Sequence, residues 1–201
     1  MLFYSALASF TMYSVFSGVV CAAYLNGNVS PIGRRIMGSP FSKGKLIINC
    51  FLIGLLLNIT SNAILLIYMT QVLKIDLFAD WGGSLLLMLM GNVFGISAGL
   101  LIGTNQKLTM QGRIIFSLML NLVLSALAGM MGTAMKGFAN TFMPGFNQFN
   151  PVALMVTGFY QLNRLVGSAH LGRTYLLLGI YTLALLGCAL WRLRRTRYDS
   201  L

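Results

Sequence analysis

Five stretches of the chain are apolar for about the length an α-helix needs to cross a bilayer, roughly 20 residues. They run from Leu2 to Leu25, Leu46 to Leu73, Trp81 to Thr104, Ile114 to Met135 and Thr174 to Trp191. In hydrocarbon a lone segment must satisfy its own backbone N–H and C=O groups, so each run has a helix as its outlet. The expected fold is all-α: a polytopic helical bundle of about five transmembrane helices, forming one domain over residues 1–201. Composition closes the soluble alternative. Only 8% of residues are charged and 57% are apolar, where soluble domains carry about 25% charged residues. Disordered chains combine low hydrophobicity with high net charge, and that is not the pattern here.

The net charge of +11 raises nucleic acid as a partner. Nucleic-acid sites gather Lys and Arg on one face, interleaved with aromatics. Here the cations fall between the apolar runs, so no nucleic-acid partner is expected. Arg34, Arg35, Lys43, Lys45, Lys107, Arg113, Arg192, Arg194, Arg195 and Arg197 belong to alternate connections and the C-terminal tail, which share one side. Lys74, Lys136, Arg164 and Arg173 fall on the other side, with Asp76 and Asp80. Ten against four assigns the C-terminus to the cytoplasm of a multi-pass protein of the inner (plasma) membrane. Trp81 and Trp191, at opposite membrane faces, fit the headgroup preference of such rings. Five spans then place the N-terminus outside. Because Met1 meets the first run almost at once, an upstream helix is expected to be lost or carried on another chain, although a short uncharged N-terminus can also translocate.

Two segments are helical without spanning. In Asn26 to Lys45, Ser30–Pro31 is a helix-start pair, and a short helix from Pro31 to Met37 would end at Gly38. Two readings stay open for it: a headgroup-binding linker, or a docking helix for a cytoplasmic partner. On the other side, Asn150–Pro151 starts a helix whose apolar positions Val152, Met155, Val156, Phe159 and Leu162 recur at helical spacing. About 14 residues cannot cross roughly 30 Å of hydrocarbon. This helix is expected in the outer interface or dipping back into the protein, and its polar flanks favour the interface. His170, nearby, reads as a solvent or headgroup contact. Cys21, Cys50 and Cys188 lack metal-ligand spacing and read as small packing residues.

Inside the third run, Gly91, Gly95, Gly99 and Gly103 recur every four residues. They give a face without side chains, on which another helix can close to van der Waals contact. Ser125, Ala128, Gly129 and Gly132 extend that expectation to the fourth run. Asn58, Asn62, Asn92 and Asn121 lie within spans and should face the bundle, either as interhelical glue or as residues lining a substrate path. No span carries a clear mid-depth carboxylate or cation of the kind ion-coupled pumps rely on. A single His rules out a Ser-His-Asp set, and no phosphate-binding GxxxxGK[ST] loop is present. An enzyme is therefore not expected, and no cofactor is expected on this chain.

Three segments resemble the permease subunits of ABC type-2 exporters. GRRIMGSPFSKGKLI, Gly33 to Ile47, looks like the family's cytoplasmic link after its second helix. NPVALMVTGFYQL, Asn150 to Leu162, is similar to the segment before its last span, and WRLRRTRYDSL to its basic tail. The resemblance implies a permease matching family helices two to six, and so lacking the first. It also implies a homo- or heterodimer with a second permease and a cytoplasmic ATPase subunit that binds the ATP. Pro31, Ile32, Arg34, Arg35 and Met37 would form the coupling contact, although the acidic residue often beside that arginine is absent here. The alternative is a non-transporting scaffold, or a remnant that regulates a complete permease.

Overall fold

The computed structural model describes residues 2–25, 35, 43–105, 108–132, 137, 141, 145–164 and 171–195. Among these there is no strand. Eight helices carry the fold: α1 (Leu2–Met12), α2 (Val15–Leu25), α3 (Lys43–Ile67), α4 (Trp81–Gly103), α5 (Met110–Leu127), α6 (Phe146–Phe149), α7 (Pro151–Arg164) and α8 (Leu171–Arg195). Five segments are long and apolar enough to cross a membrane: the α1–α2 pair, α3, α4, α5 and α8. The protein is a membrane protein.

Its surface shows why. Ile53, Leu56, Leu57, Ile64 and Ile67 of α3 are exposed, as are Ile115 and Phe116 of α5, and Leu183 of α8 is 72% exposed. In water so large an apolar patch would drive association; against lipid tails it is the expected exterior. The interior holds Leu7, Leu87, Val152, Met155, Phe159 and Leu178, each fully buried. A second, smaller cluster gathers Cys21, Ala22, Ile96, Leu100 and Ala189 toward the far end of the bundle.

The register of contacts fixes the path of the chain. Gly91 lies by Thr11, Gly95 by Ser14, Gly99 by Val15 and Gly18, and Gly103 by Val19 and Ala22. Numbers rise together, so the first and third spans run parallel. Against α2, α3 runs the other way: Cys21 Sγ donates to Cys50 O, and Asn58 Nδ2 donates to Ser17 Oγ. The first three spans therefore alternate in direction, as threading through a bilayer requires.

Several features differ from those read in the sequence. The first run is two helices, interrupted at Tyr13–Ser14, where Tyr13 N donates to Phe10 O and Ser14 N to Thr11 O. These are i→i−3 bonds, a tighter turn than α. No Pro or Gly sits at the break. Upstream, Ser9 Oγ donates to Ser5 O and Thr11 Oγ1 to Leu7 O, back-bonds of a kind that bend helices. The fourth run, expected over Ile114 to Met135, is helical from Met110 and stops at Leu127. Gly129 and Gly132 beyond it both have φ of 104°, the left-handed region that ends helices. They are turn residues, not part of a helical packing stripe.

The third difference is α7. It is not peripheral: Val152, Ala153, Leu154, Met155, Val156, Gly158 and Phe159 are all buried. Apolar residues face neighbours on more than one side of the helix, which an interfacial position would leave in water. Polar side chains gather in its last turn, at Gln161, Asn163 and Arg164. At the other extreme, α3 closes with a π-helical turn, Tyr68–Val72, and α8 extends to Arg195, where cations suit the negative end of a helix dipole.

Candidate functional site

The seam between the α1–α2 span and α4 is built from backbone. A Cβ on Gly18 would lie 2.7 Å from Leu100 N and 2.8 Å from Gly99 Cα, and would strike Ile96 O. One on Gly99 would strike Val15 O and lie 2.9 Å from Gly18 Cα. Two chains can approach this far only because neither carries a side chain there. The break at Tyr13–Ser14 falls on this seam, with Ser14 Oγ against Gly95. That hydroxyl is buried without a hydrogen-bond partner.

A second feature is the depth of α7. Leu162 packs at Gly83, Gly158 at Leu87 and Met155 at Gly91, so α7 runs antiparallel to α4. Gly91 is ten residues from Trp81, or about 15 Å at 1.5 Å per residue. The N-terminus of α7 therefore starts near or beyond half the depth of a span. Its polar start is served there by side chains. Asn150 Oδ1 accepts from Val152 N as the cap, and Asn150 Nδ2 donates to Leu124 O. Asn147 Nδ2 donates to Leu127 O. Leu127 O, at the end of α5, thus gains a partner from the segment that follows it, and Leu124 O gains a second donor beside Ala128 N. Non-helical backbone at such depth is tolerated only inside protein or along a cavity.

At its far end α7 is tied by Asn163. Its Oδ1 accepts from Ala79 N at 2.7 Å and Asp80 N at 3.1 Å, while its Nδ2 donates to Ser84 Oγ and Phe159 O. Asp80 caps α4 by accepting from Gly83 N. Phe78 and Tyr4 stack on Phe159 from two directions. These residues knit the Trp81 end of the bundle into one unit.

Of the amides singled out in the sequence, Asn62 Nδ2 donates to Asn92 Oδ1 at 3.1 Å, joining α3 to α4. Asn58 bonds Ser17, and Asn121 Oδ1 accepts from Ser125 Oγ within α5. Asn62 and Asn92 also border a cavity of about 370 Å³ between α3 and α4. Gly91, Gly95, Gly99 and Gly103 of α4 are together on the α1–α2 side, with Gly91 also against Met155. Of the expected coupling residues, Arg35 is exposed with helical backbone, and Pro31, Ile32, Arg34 and Met37 lie outside the described residues. So does His170. No protein-family model, curated protein or solved structure matches the chain.

Three groups were not singled out in the sequence. Ser14 and Asn163 carry no signal there, since a lone hydroxyl or amide has no preferred role. Arg113 reads as an interface cation, yet it is 1% exposed, with Nε donating to Leu108 O and Nη1 without a partner. Among the described residues it is the one buried cation. Burial near a helix start could have been suspected from its place at the fourth residue of α5.

Proposed function

We propose that the chain is the membrane-spanning permease subunit of an ATP-driven exporter of the ABC type-2 class. In this reading it forms a substrate pathway with a second permease and couples to a separate cytoplasmic ATPase, which binds ATP. The C-terminus is cytoplasmic, in the inner (plasma) membrane. Carrying the proposal is α7, a helix too short to span, set end-on into the bundle beside a broken first span. Interrupted helices at membrane depth are a recurrent device of transporters, because they bring polar backbone to a site inside the bilayer. The three segments that resemble family permeases add to it. Catalysis is not part of the role: the chain would move as rigid bodies while its partner supplies the energy.

A non-transporting scaffold is the second reading. The bond from Asn62 Nδ2 to Asn92 Oδ1 favours it, because amides joined to one another hold helices together and offer less to a passing substrate. The two readings part on one experiment. The tagged chain is purified from its native membrane in mild detergent, and co-purifying proteins are identified and assayed for ATP hydrolysis. A permease brings down an ATPase, and Arg34→Glu with Arg35→Glu lowers its yield. Recovery of the wild-type chain with no ATPase, from membranes where neighbouring genes encode none, sinks the proposal.

A further inference from the structure

We propose that the crevice between α3 and α4 holds one hydrocarbon chain of a phospholipid, drawn from the membrane half on the Trp81 side. This goes beyond the permease reading and depends only on the protein spanning a bilayer. Its volume of about 370 Å³ is set between Ala63 and Leu66 of α3 and Met88 and Leu89 of α4. The two helices are held together by the Asn62–Asn92 bond at one level and by burial of Leu66 and Met69 at another. Between them the small side chain of Ala63 leaves the space unfilled.

Depth decides which molecules reach it. The stretch of α4 that lines it begins four residues from Trp81 and ends at Asn92, eleven residues away. At 1.5 Å per residue these are about 6 Å and about 16 Å, so the crevice runs from within a hydrocarbon half-layer of about 15 Å to its inner limit at the bilayer midplane. At the lip Leu89 is exposed, as are the outer faces of α3 on either side. A cavity walled off from a bilayer stays empty when it is apolar. This one opens sideways into lipid tails, and a tail that enters regains the dispersion contacts that a void forfeits.

Shape excludes the other apolar occupant. A transmembrane helix is about 10 Å across with its side chains, too wide for a space of this volume. A single chain fits: at roughly 30 Å³ per group, about the share of a liquid water, the crevice takes on the order of ten methylenes. Its polar wall groups are Asn62 and Asn92, and they are bonded to each other. That single bond, Asn62 Nδ2 to Asn92 Oδ1, takes up part of their polarity, and the other six lining residues are apolar, as a saturated chain requires.

The test uses the purified full chain in nanodiscs containing phosphatidylcholine with a photoactivatable diazirine midway along one acyl chain. After illumination, adducts are mapped by peptide mass spectrometry. Adducts at residues 59–66 and 85–92 should exceed those at the freely lipid-facing Leu183 and Leu120 by about fivefold. Ala63→Phe should remove that excess. If Ala63→Phe does not fold, Leu89→Trp blocks the crevice from its exposed lip and should have the same effect. Adducts distributed in proportion to exposure over all lipid-facing residues would overturn the proposal. So would an excess that survives both substitutions. Neither result bears on whether an ATPase docks, so the two proposals fail separately.

Discussion

Gly18→Ala is the sharpest probe of the seam between the first and third spans. The added methyl would meet backbone atoms, Leu100 N at 2.7 Å and Gly99 Cα at 2.8 Å, where 3.4 Å is ordinary contact. Backbone cannot swing aside as a flexible side chain can, so the helices must part by at least 0.7 Å, the difference between 3.4 Å and 2.7 Å, and further to clear Ile96 O. A gap of that size forfeits roughly a quarter to a half of each dispersion contact along the seam. Overpacking of this kind costs about 1–3 kcal/mol, and rigid neighbours put it at the upper end. Replacing a helical Gly by Ala returns about 1 kcal/mol of backbone preference, leaving a net loss of about 2 kcal/mol. The control is Gly187→Ala in α8, where an added Cβ meets nothing within 4 Å and only the favourable part remains. Unfolding in mixed micelles by titrated SDS, followed by helical circular dichroism, measures both. The pair should differ by about 3 kcal/mol, with Gly18→Ala the weaker. Equal stabilities would refute the idea that this seam is set by backbone contact.

Other outcomes follow from single contacts. Asn62→Leu or Asn92→Leu alone should destabilise by about 1–3 kcal/mol, by orphaning an amide, while the double substitution recovers most of the loss; a double-mutant cycle by the same titration checks it. Asp80→Ala should cost about 1 kcal/mol as α4 loses its cap, and Asp80→Asn far less; thermal unfolding separates them. Asn163→Ala should free the amides of Ala79 and Asp80, read as at least tenfold faster hydrogen exchange there with little change in α3. In a cysteine-free background, Arg35→Cys and Asp76→Cys should react with impermeant maleimide from opposite membrane sides, and labelling from the same side would refute the charge-based orientation.

How far the sequence carries depends on the kind of property. Spans are legible because hydropathy is an average over about twenty residues, and no single contact can reverse it. The stop of α5 is hidden: Gly129 follows Ser125 and Gly132 follows Ala128 by the same four residues that separate Gly91, Gly95, Gly99 and Gly103, whether or not the helix continues, and only the positive φ of the two glycines separates the cases. The break at Tyr13–Ser14 depends on hydroxyls bonding back to Ser5 and Leu7 carbonyls, a choice each Ser or Thr makes locally. Val152, Met155, Val156 and Phe159 give an apolar face in the sequence, but a face has no label for whether lipid or protein lies against it. Tertiary neighbours, here Leu87 and Gly91, decided that. Arg113 was misjudged for the same reason, since a flanking cation and a buried one look alike in a string of letters.

The parallel seam also constrains how the protein is made. Gly18 and Gly99 meet across the fold, yet some eighty residues and an entire antiparallel pass separate them in the chain. During synthesis the first span must therefore wait in the membrane, paired with α3 through Asn58 and Ser17 and through Cys21 and Cys50, until α4 has been inserted. Three of its hydroxyls, on Ser5, Ser9 and Thr11, bond to their own helix rather than to a neighbour, which lets that stretch endure the interval among lipid tails.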